Sequence, residues 1–333
     1  MAGERLVLSG DFKVLMDKTI AVLGYGNQGR AQATVMRDNG LNVIVGNVQD
    51  EYRRLAEREG FRTYDIAEAA QRADVIMVLL PDEVQPAVMK EVNAAVRGRN
   101  VVIDFASGFN VAFGLVELPD SADVVMVAPR MIGAGILNLH RQGKGYPVLI
   151  GVEKDVSGRA WDYAVGIAAA IGAIGRPGGI AVKVTFKEEA LLDLLDEHTN
   201  WPLLFASFMA FFDVATKQYG VPPEAVLLEL YASGEMAEVA SSMASMGLFE
   251  QLRLHSTTSQ YGQLSRAFAF YHYVKRLVEK EARQIWLGDF AREWTLEQLA
   301  GKPKFKALWE AARSSELARA EDALFRVLGR RQA

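Results

Sequence analysis

The first half of the chain alternates short apolar runs with segments of helical periodicity. Apolar, β-branched runs occupy residues 18–23, 42–46, 74–80, 100–105, 123–127 and 147–152. A helical pattern over about 30–38 separates the first two runs. Continuous apolar strands that alternate with helices are typical of a parallel sheet covered on both faces. We therefore predict an α/β domain.

The pattern changes near residue 180, after the turn-like segment 176–179. From 187 onward no run resembles a strand, and helical patterns cover 187–198, 201–219, 223–245 and 263–286. A chain of 333 residues is also long for one hydrophobic core. We predict an α/β domain over 1–181, followed by an all-helical domain over 182–333.

Composition narrows the class of protein. Lys and Arg total 37 against 41 Asp and Glu, so a net charge of -4 gives no basic footprint for nucleic acid or an anionic membrane. The absence of cysteine excludes disulfides and thiolate chemistry. The N-terminus has no signal-like apolar run, and the apolar stretch 201–212 is too short to span a bilayer. We expect a cytoplasmic protein.

A glycine-rich turn follows the first predicted strand and opens a helix, which is the context of a dinucleotide-binding fingerprint. Its residues are Gly24, Tyr25, Gly26, Asn27, Gln28 and Gly29. In a GxGxxG turn the first glycine permits the tight turn, the second admits a pyrophosphate, and the third allows close helix packing. The phosphates would meet N–H groups at the helix N-terminus. The alternative is a strand–turn–helix without a ligand.

The choice between NADH and NADPH depends on the end of the second strand. Asp50 and Glu51 lie about 20 residues beyond the last glycine, where a ribose-binding acid is expected. A carboxylate there would repel a 2′-phosphate, whereas Arg53 and Arg54 would attract one. All four would equally suit a solvated helix start. The balance slightly favours NADH.

Several separated blocks, in order from about residue 10 to the C-terminal helix, resemble ketol-acid reductoisomerase of the short, class I form. They are GYGNQGRAQA (24–33), ADVIMVLLPDEVQ (73–85), FASGFN (105–110), VAPR (127–130), TFKEE (185–189) and FAREWTLEQLAGKPKF (290–305). The resemblance implies a Rossmann domain and a knotted, 6-phosphogluconate-dehydrogenase-like helical domain that dimerises. It also implies NAD(P)H, with Leu80 and Pro81 among the cofactor-binding residues, two magnesium ions, and an alkyl shift followed by ketone reduction.

The resemblance also suggests metal ligands. Asp193 and Glu197 match the family's first two carboxylates, and their i, i+4 spacing projects both from one helix face. Hard oxygen ligands suit Mg²⁺, although an ordinary exposed acidic face is the alternative. The family takes further carboxylates from a later helix of the partner subunit. Glu235 matches the second of these and Tyr231 the first, while Glu229 serves only with a two-residue insertion.

The substrate-facing edge departs from the family pattern. Ser107 replaces a histidine, Arg130 replaces the active-site lysine, and Met131–Ala134 replaces Gly-Pro-Gly-His. Arg cannot readily donate a proton, but its fork can hold a carboxylate. Ser256 matches the family's substrate-binding serine, with a helix cap as the alternative. We assign substrate contacts to Arg130, Ser107 and Ser256.

The sequence therefore predicts an NAD(P)H-dependent oxidoreductase of the ketol-acid reductoisomerase type. Its substrate would be a small 2-keto or 2-hydroxy acid, with Mg²⁺ assisting and the isomerase step open. One alternative is an authentic isomeroreductase that makes 2,3-dihydroxy-isovalerate from 2-acetolactate. Another is a non-catalytic dinucleotide-binding dimer, which the retained carboxylates argue against. A homodimer or higher homo-oligomer is expected, without nucleic acid or membrane partners.

Overall fold

A computed structural model of the chain describes residues 4–331. The chain forms two compact units, Met1–Leu192 and Asp193–Ala333. This division falls later than the boundary predicted near residue 181. The difference arises because the first turn of the next helix packs with the sheet, where Phe186 is buried in an apolar cluster of the first unit.

The described part of the first unit contains a nine-stranded sheet. The strands are β1 (Leu6–Val7), β2 (Thr19–Leu23), β3 (Asn42–Gly46), β4 (Arg62–Tyr64), β5 (Val75–Val78), β6 (Val101–Phe105), β7 (Ala122–Pro129), β8 (Pro147–Lys154) and β9 (Ile180–Lys183). The helices are α1 (Asn27–Asp38), α2 (Glu51–Arg58), α3 (Ile66–Arg72), α4 (Gln85–Ala95), α5 (Phe109–Ala112), α6 (Gly133–Arg141), α7 (Ala160–Ala170) and α8 (Phe186–Leu195), with a 3₁₀ turn at Lys13–Leu15.

The sheet order is β1-β9-β8-β7-β6-β5-β2-β3-β4. Six neighbouring strands, from β4 across to β7, are parallel and follow the order of a doubly wound dinucleotide-binding fold. The prediction of a parallel sheet is confirmed for these six strands, whereas β8, also predicted as a strand, runs antiparallel to β7. The short strand β1, which was not predicted, runs antiparallel to β9. An apolar run that is buried on both faces has the same pattern in either direction, so the sequence did not encode this reversal.

Apolar layers cover both faces of the sheet. Along β2 and β5, Val22 and Met77 belong to one layer, whereas Ala21 and Ile76 belong to the other. Successive residues of a strand point to opposite faces, so strands this apolar must be covered on both sides. The sheet therefore fixes the loops that leave the carboxyl ends of β2, β5, β6 and β7.

The second unit is helical throughout its described residues. Its helices are α9 (Trp201–Asp213), α10 (Pro223–Leu227), α11 (Glu235–Met246), α12 (Thr257–Trp286), α13 (Asp289–Leu299), α14 (Pro303–Arg313) and α15 (Glu316–Val327), with a 3₁₀ turn at Glu250–Leu254. π turns occupy Asp196–Asn200, Val214–Gln218 and Leu228–Ala232. The prediction of an α/β domain followed by a helical one is thus confirmed.

One long predicted helix, over 223–245, is interrupted. The π turn after α10 is followed by Gly234, whose φ of 92° is left-handed, and α11 begins at the next residue. A left-handed residue ends an α-helix, and glycine adopts that conformation at little cost. Within the stretch 4–331, no helix has the length and apolarity needed to cross a bilayer.

Candidate active site

The glycine-rich loop joins β2 to α1. Gly24 has a φ of 90°, and a Cβ there would collide with the carbonyl of Leu79. A Cβ on Gly29 would overlap the Gly24 carbonyl oxygen, whereas no atom lies within 4 Å of the Cβ position of Gly26. The first and third positions thus require glycine for the backbone itself. The second leaves open space over the N-terminus of α1, where a pyrophosphate would bind.

Three side chains of this loop are engaged within the protein. Tyr25 is buried and donates its hydroxyl to Glu59 (2.7 Å), and burial raises the pKa of this phenol above its usual range. Asn27 Oδ1 accepts from the Gly133 amide (2.7 Å). Gln28 Nε2 donates to the Met131 carbonyl (2.8 Å). Any contact of these residues with a dinucleotide would therefore use the backbone. The side chains of Asn27 and Gln28 attach the loop to the start of α6, and that of Tyr25 attaches it to the end of α2.

Asp50 lies at the expected ribose end, after β3, and caps α2. Its Oδ1 accepts from the Arg53 amide (3.0 Å) and from Asn47 Nδ2 (2.8 Å). The Arg53 guanidinium donates to Asp65 (2.5 Å) and to the Asn47 carbonyl (3.2 Å). These contacts fit the alternative that Asp50 and its neighbours form the start of a helix. A contact of Asp50 with the ribose stays a prediction.

Leu80 and Pro81 follow β5 at the same edge of the sheet. The Leu80 side chain lies against Gly24, within 2.9 Å of the position a Cβ would take there. The Leu80 carbonyl accepts from Gln85 Nε2 (2.8 Å), and Gln85 Oε1 accepts from Asn110 Nδ2 (2.9 Å). This network joins the loop after β5 to the loop after β6, which carries Ser107.

A buried carboxylate, not singled out from the sequence, connects the loop after β6 to Arg130. Glu189 is fully buried and accepts from the Gly108 amide (2.6 Å) and from Arg130 Nη2 (2.6 Å). The Arg130 side chain is 31% exposed. Nearby, Ser107 Oγ accepts from the Phe109 amide (3.3 Å). The signal available in the sequence was the second glutamate of TFKEE, but its partner lies 59 positions away.

At this edge of the sheet, the positively charged side chain of Arg130 lies close in the chain to an exposed apolar side chain. A guanidinium carries five N–H donors and stays protonated, so Arg130 can orient an anion but is a poor proton donor. The neighbouring Ile132 side chain is 69% exposed, at the N-terminus of α6. The Ser107 hydroxyl can still donate its own proton while it accepts from an amide. The arrangement suits binding and orientation of a small carboxylate.

The predicted metal carboxylates lie where α8 passes into a π turn. Asp193 is in the last turn of α8, and Glu197 lies in the π turn that follows. Burial raises the pKa of Glu197 above its ordinary value, and the negative charges of Asp193 and Asp196 raise it further. Asp196 itself accepts from Trp201 Nε1 (2.9 Å). Like charges held together on a half-buried surface favour a bound cation.

Glu235 is not brought into a cluster with this pair. Within 4–331, no group of three or more His, Asp or Glu side chains is arranged to hold a metal ion. Glu235 is exposed at the first position of α11. Tyr231 donates its hydroxyl to Glu321 (2.7 Å) and stacks on Phe208. Ser256 Oγ accepts from the Ser259 amide (3.3 Å), which fits the helix-cap alternative.

The strand order, the glycine loop and the helical second unit define a nicotinamide-dependent oxidoreductase class. Two family models match the chain. The model described as "Acetohydroxy acid isomeroreductase, NADPH-binding domain" covers residues 14–178, and "Ketol-acid reductoisomerase, C-terminal domain" covers 186–328. The chain therefore belongs to the ketol-acid reductoisomerase family and is an NAD(P)-dependent oxidoreductase of that type.

Individual relatives support the assignment to this family. A protein of Saccharolobus solfataricus that carries a ketol-acid reductoisomerase name is 57% identical over 98% of this chain and 99% of its own. "Ketol-acid reductoisomerase (NADP(+))" of Pyrobaculum aerophilum is 38% identical over 94% of this chain and 95% of its own. The solved structure of an NADH-preferring ketol-acid reductoisomerase from an uncultured archean aligns with a TM-score of 0.87, at 29% identity, over 96% of this chain and 98% of that one.

Proposed function

We propose that this protein uses NADH to reduce a preformed 2-keto-3-hydroxy acid, and that it isomerises 2-acetolactate more slowly. The observation that carries the proposal is the contact of Arg130 with the buried carboxylate of Glu189. The family has a lysine at this position, and a lysine amine can be tuned to exchange protons. A guanidinium paired with a carboxylate remains charged and serves to orient the substrate.

The two steps place different demands on the protein. For the reduction, a bound nicotinamide would supply the hydride, and the protein need only orient the keto acid and admit a proton to its oxygen from the solvent or a donor. In the isomerisation, a hydroxyl must lose its proton while an alkyl group moves to the neighbouring carbonyl carbon. Charge then develops on two adjacent oxygens. Loss of an exchangeable amine therefore slows the isomerisation more than the hydride step.

Asp193 and Glu197 are the proposed ligands of Mg²⁺. The fit rests on the raised pKa of Glu197, because an added cation would relieve the burial and like-charge cost of its ionised form. Carboxylate oxygens are the donors that this ion prefers. When bound, Mg²⁺ supplies a Lewis acid that polarises the oxygens of the substrate. Ser107 and Ser256 are proposed to donate hydrogen bonds to the substrate.

The preference for NADH rests on the end of β3. Asp50 and Glu51 place negative charge there, and Arg53 is already committed to Asp65 and to the Asn47 carbonyl. A 2′-phosphate would therefore meet the carboxylates of Asp50 and Glu51 with Arg53 already paired, which leaves the exposed Arg54 to offset them. Kinetics with each cofactor test this assignment. A higher kcat/KM for NADPH than for NADH would overturn it.

A second copy of the chain is the proposed partner. Of the thirty residues of α12, all of which the structure describes, Ile285 alone is buried. Large apolar side chains such as Phe268 and Tyr273 are more than 60% exposed on this helix. Large apolar side chains that are this exposed need a covering surface, and homo-oligomers commonly supply it. Light scattering on the purified protein measures the oligomeric state, and a monomer would contradict this part of the proposal.

The substrate assignment is tested by following NADH oxidation, with Mg²⁺ present, on 2-acetolactate and on 3-hydroxy-3-methyl-2-ketobutyrate. We expect faster turnover of the second compound. Arg130→Lys should raise the ratio of acetolactate to ketobutyrate turnover, whereas Arg130→Gln should weaken binding of both. Rapid turnover of 2-acetolactate by the unaltered protein would favour an authentic isomeroreductase, to which the names of the relatives point. No turnover of either would favour a non-catalytic dinucleotide-binding protein.

A further inference from the structure

We infer that Asn27 and Gln28 of the glycine-rich loop are positioning residues for the keto acid, in addition to lying at the dinucleotide site. The inference rests on the proposed function, in which Arg130 orients the carboxylate of the substrate. Residues 131–133 follow Arg130 directly and lead into α6. A cofactor on one loop and an acid on the other react only at a fixed separation, since a misplacement of about 1 Å can cost about 100-fold in rate.

Two hydrogen bonds hold residues 131–133 to the start of α1. Gln28 Nε2 donates to the Met131 carbonyl (2.8 Å), and Asn27 Oδ1 accepts from the Gly133 amide (2.7 Å). One bond uses a side-chain donor and the other a side-chain acceptor, so a shift of the segment by one residue would break both. Adjacent residues of the glycine-rich loop therefore specify where this segment lies.

The segment also touches the backbone of the glycine-rich loop. A Cβ on Gly133 would lie 2.1 Å from the Asn27 carbonyl oxygen and 2.7 Å from Asn27 Oδ1. Gly133 is not among the glycines with a left-handed φ, so its backbone conformation would suit any residue. The close approach of the two loops is thus the reason that this position requires glycine.

The side-chain amide of Gln28 is oriented from the next turn of α1. Gln32, which is fully buried, donates from Nε2 to Gln28 Oε1 (3.1 Å), and this leaves Gln28 Nε2 to face Met131. The backbone amides of Asn27 and Gln28 have a different use, because the N-cap residue is Gly26, which has no side chain to accept from them. The same two residues can thus present amides to a pyrophosphate and side chains to the segment after Arg130.

The first test measures binding of oxamate, an analogue of a 2-keto acid that NADH does not reduce, to the full-length protein at saturating NADH. Asn27→Ala removes the acceptor of the Gly133 amide and keeps its own backbone amide. We expect oxamate affinity to fall by ~5-fold, the usual effect of one lost hydrogen bond, and to fall more than NADH affinity. Gly133→Ala should displace the segment and lower oxamate affinity by ~10-fold or more.

Asn39→Ala is the matched control. Asn39 lies at the opposite end of α1 and donates from its side chain to the Ala170 carbonyl (2.8 Å). Its replacement removes a similar side-chain bond to backbone, so it should lower thermal stability about as much as Asn27→Ala but leave oxamate affinity unchanged. Equal losses of oxamate affinity in the two variants would reduce Asn27 to a structural role and overturn the inference.

A rescue variant separates the two roles of Asn27. Asn27→Asp retains an acceptor for the Gly133 amide but adds negative charge beside the place of the pyrophosphate. We expect it to bind NADH more weakly than Asn27→Ala does, and oxamate, at saturating NADH, more tightly. The opposite order for both ligands would overturn the inference.

Hydrogen exchange tests the hydrogen bond without any ligand. In the peptide over 131–136, Asn27→Ala should speed exchange of the Gly133 amide, whereas Asn39→Ala should not. Unchanged exchange in Asn27→Ala would overturn the inference and leave the proposed function standing. Faster exchange in Asn27→Ala, together with neither oxamate binding nor turnover by the unaltered protein, would instead overturn the proposed function and with it the role of these residues toward an acid.

Discussion

The two units differ in how completely each buries its own apolar surface. In the first, the sheet separates two extended apolar clusters, and its strands are buried on both faces. In the second, the described buried cluster consists of Phe212, Val226, Leu227, Ala232 and Leu324, while the long α12 remains almost entirely exposed. The first unit has the core of an independent domain, whereas the second resembles part of a larger core.

This difference extends to the chemistry. In the first unit the glycine loop, Ser107, Arg130 and Glu189 are fixed by hydrogen bonds within one chain. In the second, Asp193, Asp196 and Glu197 lie near one another, but within residues 4–331 no group of three acidic or histidine side chains is arranged to hold a metal ion. We infer that dinucleotide binding is a property of a single chain and that the metal site is completed on assembly. The following predictions test this contrast.

The largest expected effect is in the first unit. Gly26→Asp should abolish measurable NADH binding, a loss of ~1,000-fold or more, because a charged side chain would occupy the place of the pyrophosphate. Since no atom lies within 4 Å of the Gly26 Cβ position, the fold should be preserved. Fluorescence titration measures binding, and thermal unfolding checks the fold. Gly26→Ala is the control for size without charge. Unchanged binding in Gly26→Asp would refute the dinucleotide site.

The next effect belongs to the second unit. Phe268→Asp should weaken self-association by ~100-fold, because a buried aromatic anchor typically contributes more than about 2 kcal/mol to an interface. Phe268 is 68% exposed in the single chain, so the unassembled unit should tolerate the change. Analytical ultracentrifugation over a range of concentrations measures the shift. Lys275→Gln, which alters an exposed position of the same helix, should leave the association constant unchanged.

The metal site should respond to that dissociation, and the dinucleotide site should not. If Phe268→Asp still binds NADH but loses Mn²⁺ affinity when it becomes monomeric, the contrast between the units holds. Equal loss of both ligands would show that the first unit also depends on assembly. Retention of both would place the complete metal site within one chain.

Much of the first unit could be predicted because its elements are local. The strand at Asn42–Gly46 was expected at the same residues, and the glycine loop follows directly from its spacing. The contact of Glu189 with Arg130 could not be predicted, because it joins residues 59 positions apart and depends on how the first turn of α8 packs against the loop after β6. Likewise the break at Gly234 was missed, since one glycine within a helical pattern is ordinarily tolerated.

A smaller effect is expected at Glu189. Glu189→Gln keeps an acceptor for the Gly108 amide but leaves Arg130 without its buried counter-charge, so we expect kcat/KM to fall by ~30-fold, equivalent to about 2 kcal/mol. Glu188→Gln is the matched control, because Glu188 pairs with Arg5 at the surface. A surface pair of this kind contributes at most about 1 kcal/mol. Equal effects of the two substitutions would show that burial of the pair is unimportant.

The smallest expected effect concerns an imperfection in the otherwise complete core of the first unit. Asp104 is fully buried in β6, and among the described residues neither of its carboxylate oxygens makes a hydrogen bond of good geometry. Burial raises the pKa of Asp104 well above its ordinary value, and the Val127 amide opposes this only in part. By contrast, Asp123 accepts from the Val156 amide (2.7 Å), the Ser157 amide (2.9 Å) and the Ser157 hydroxyl (2.5 Å).

The pH dependence of stability should therefore separate these two aspartates. Because the folded pKa of Asp104 is raised, its stabilising contribution is complete below the unfolded pKa and is lost as pH rises toward the folded pKa. Asp104→Asn cannot ionise, so its free energy of unfolding relative to the unaltered protein should rise as pH increases from the unfolded pKa of Asp104 toward its raised folded pKa. Asp123→Asn should be less stable throughout that range, because it loses a carboxylate that accepts three hydrogen bonds.

Denaturant unfolding at several pH values measures both differences. A difference for Asp104→Asn that stays constant with pH would mean that the folded protein tolerates an ionised Asp104, and that water or another donor reaches this position in the sheet.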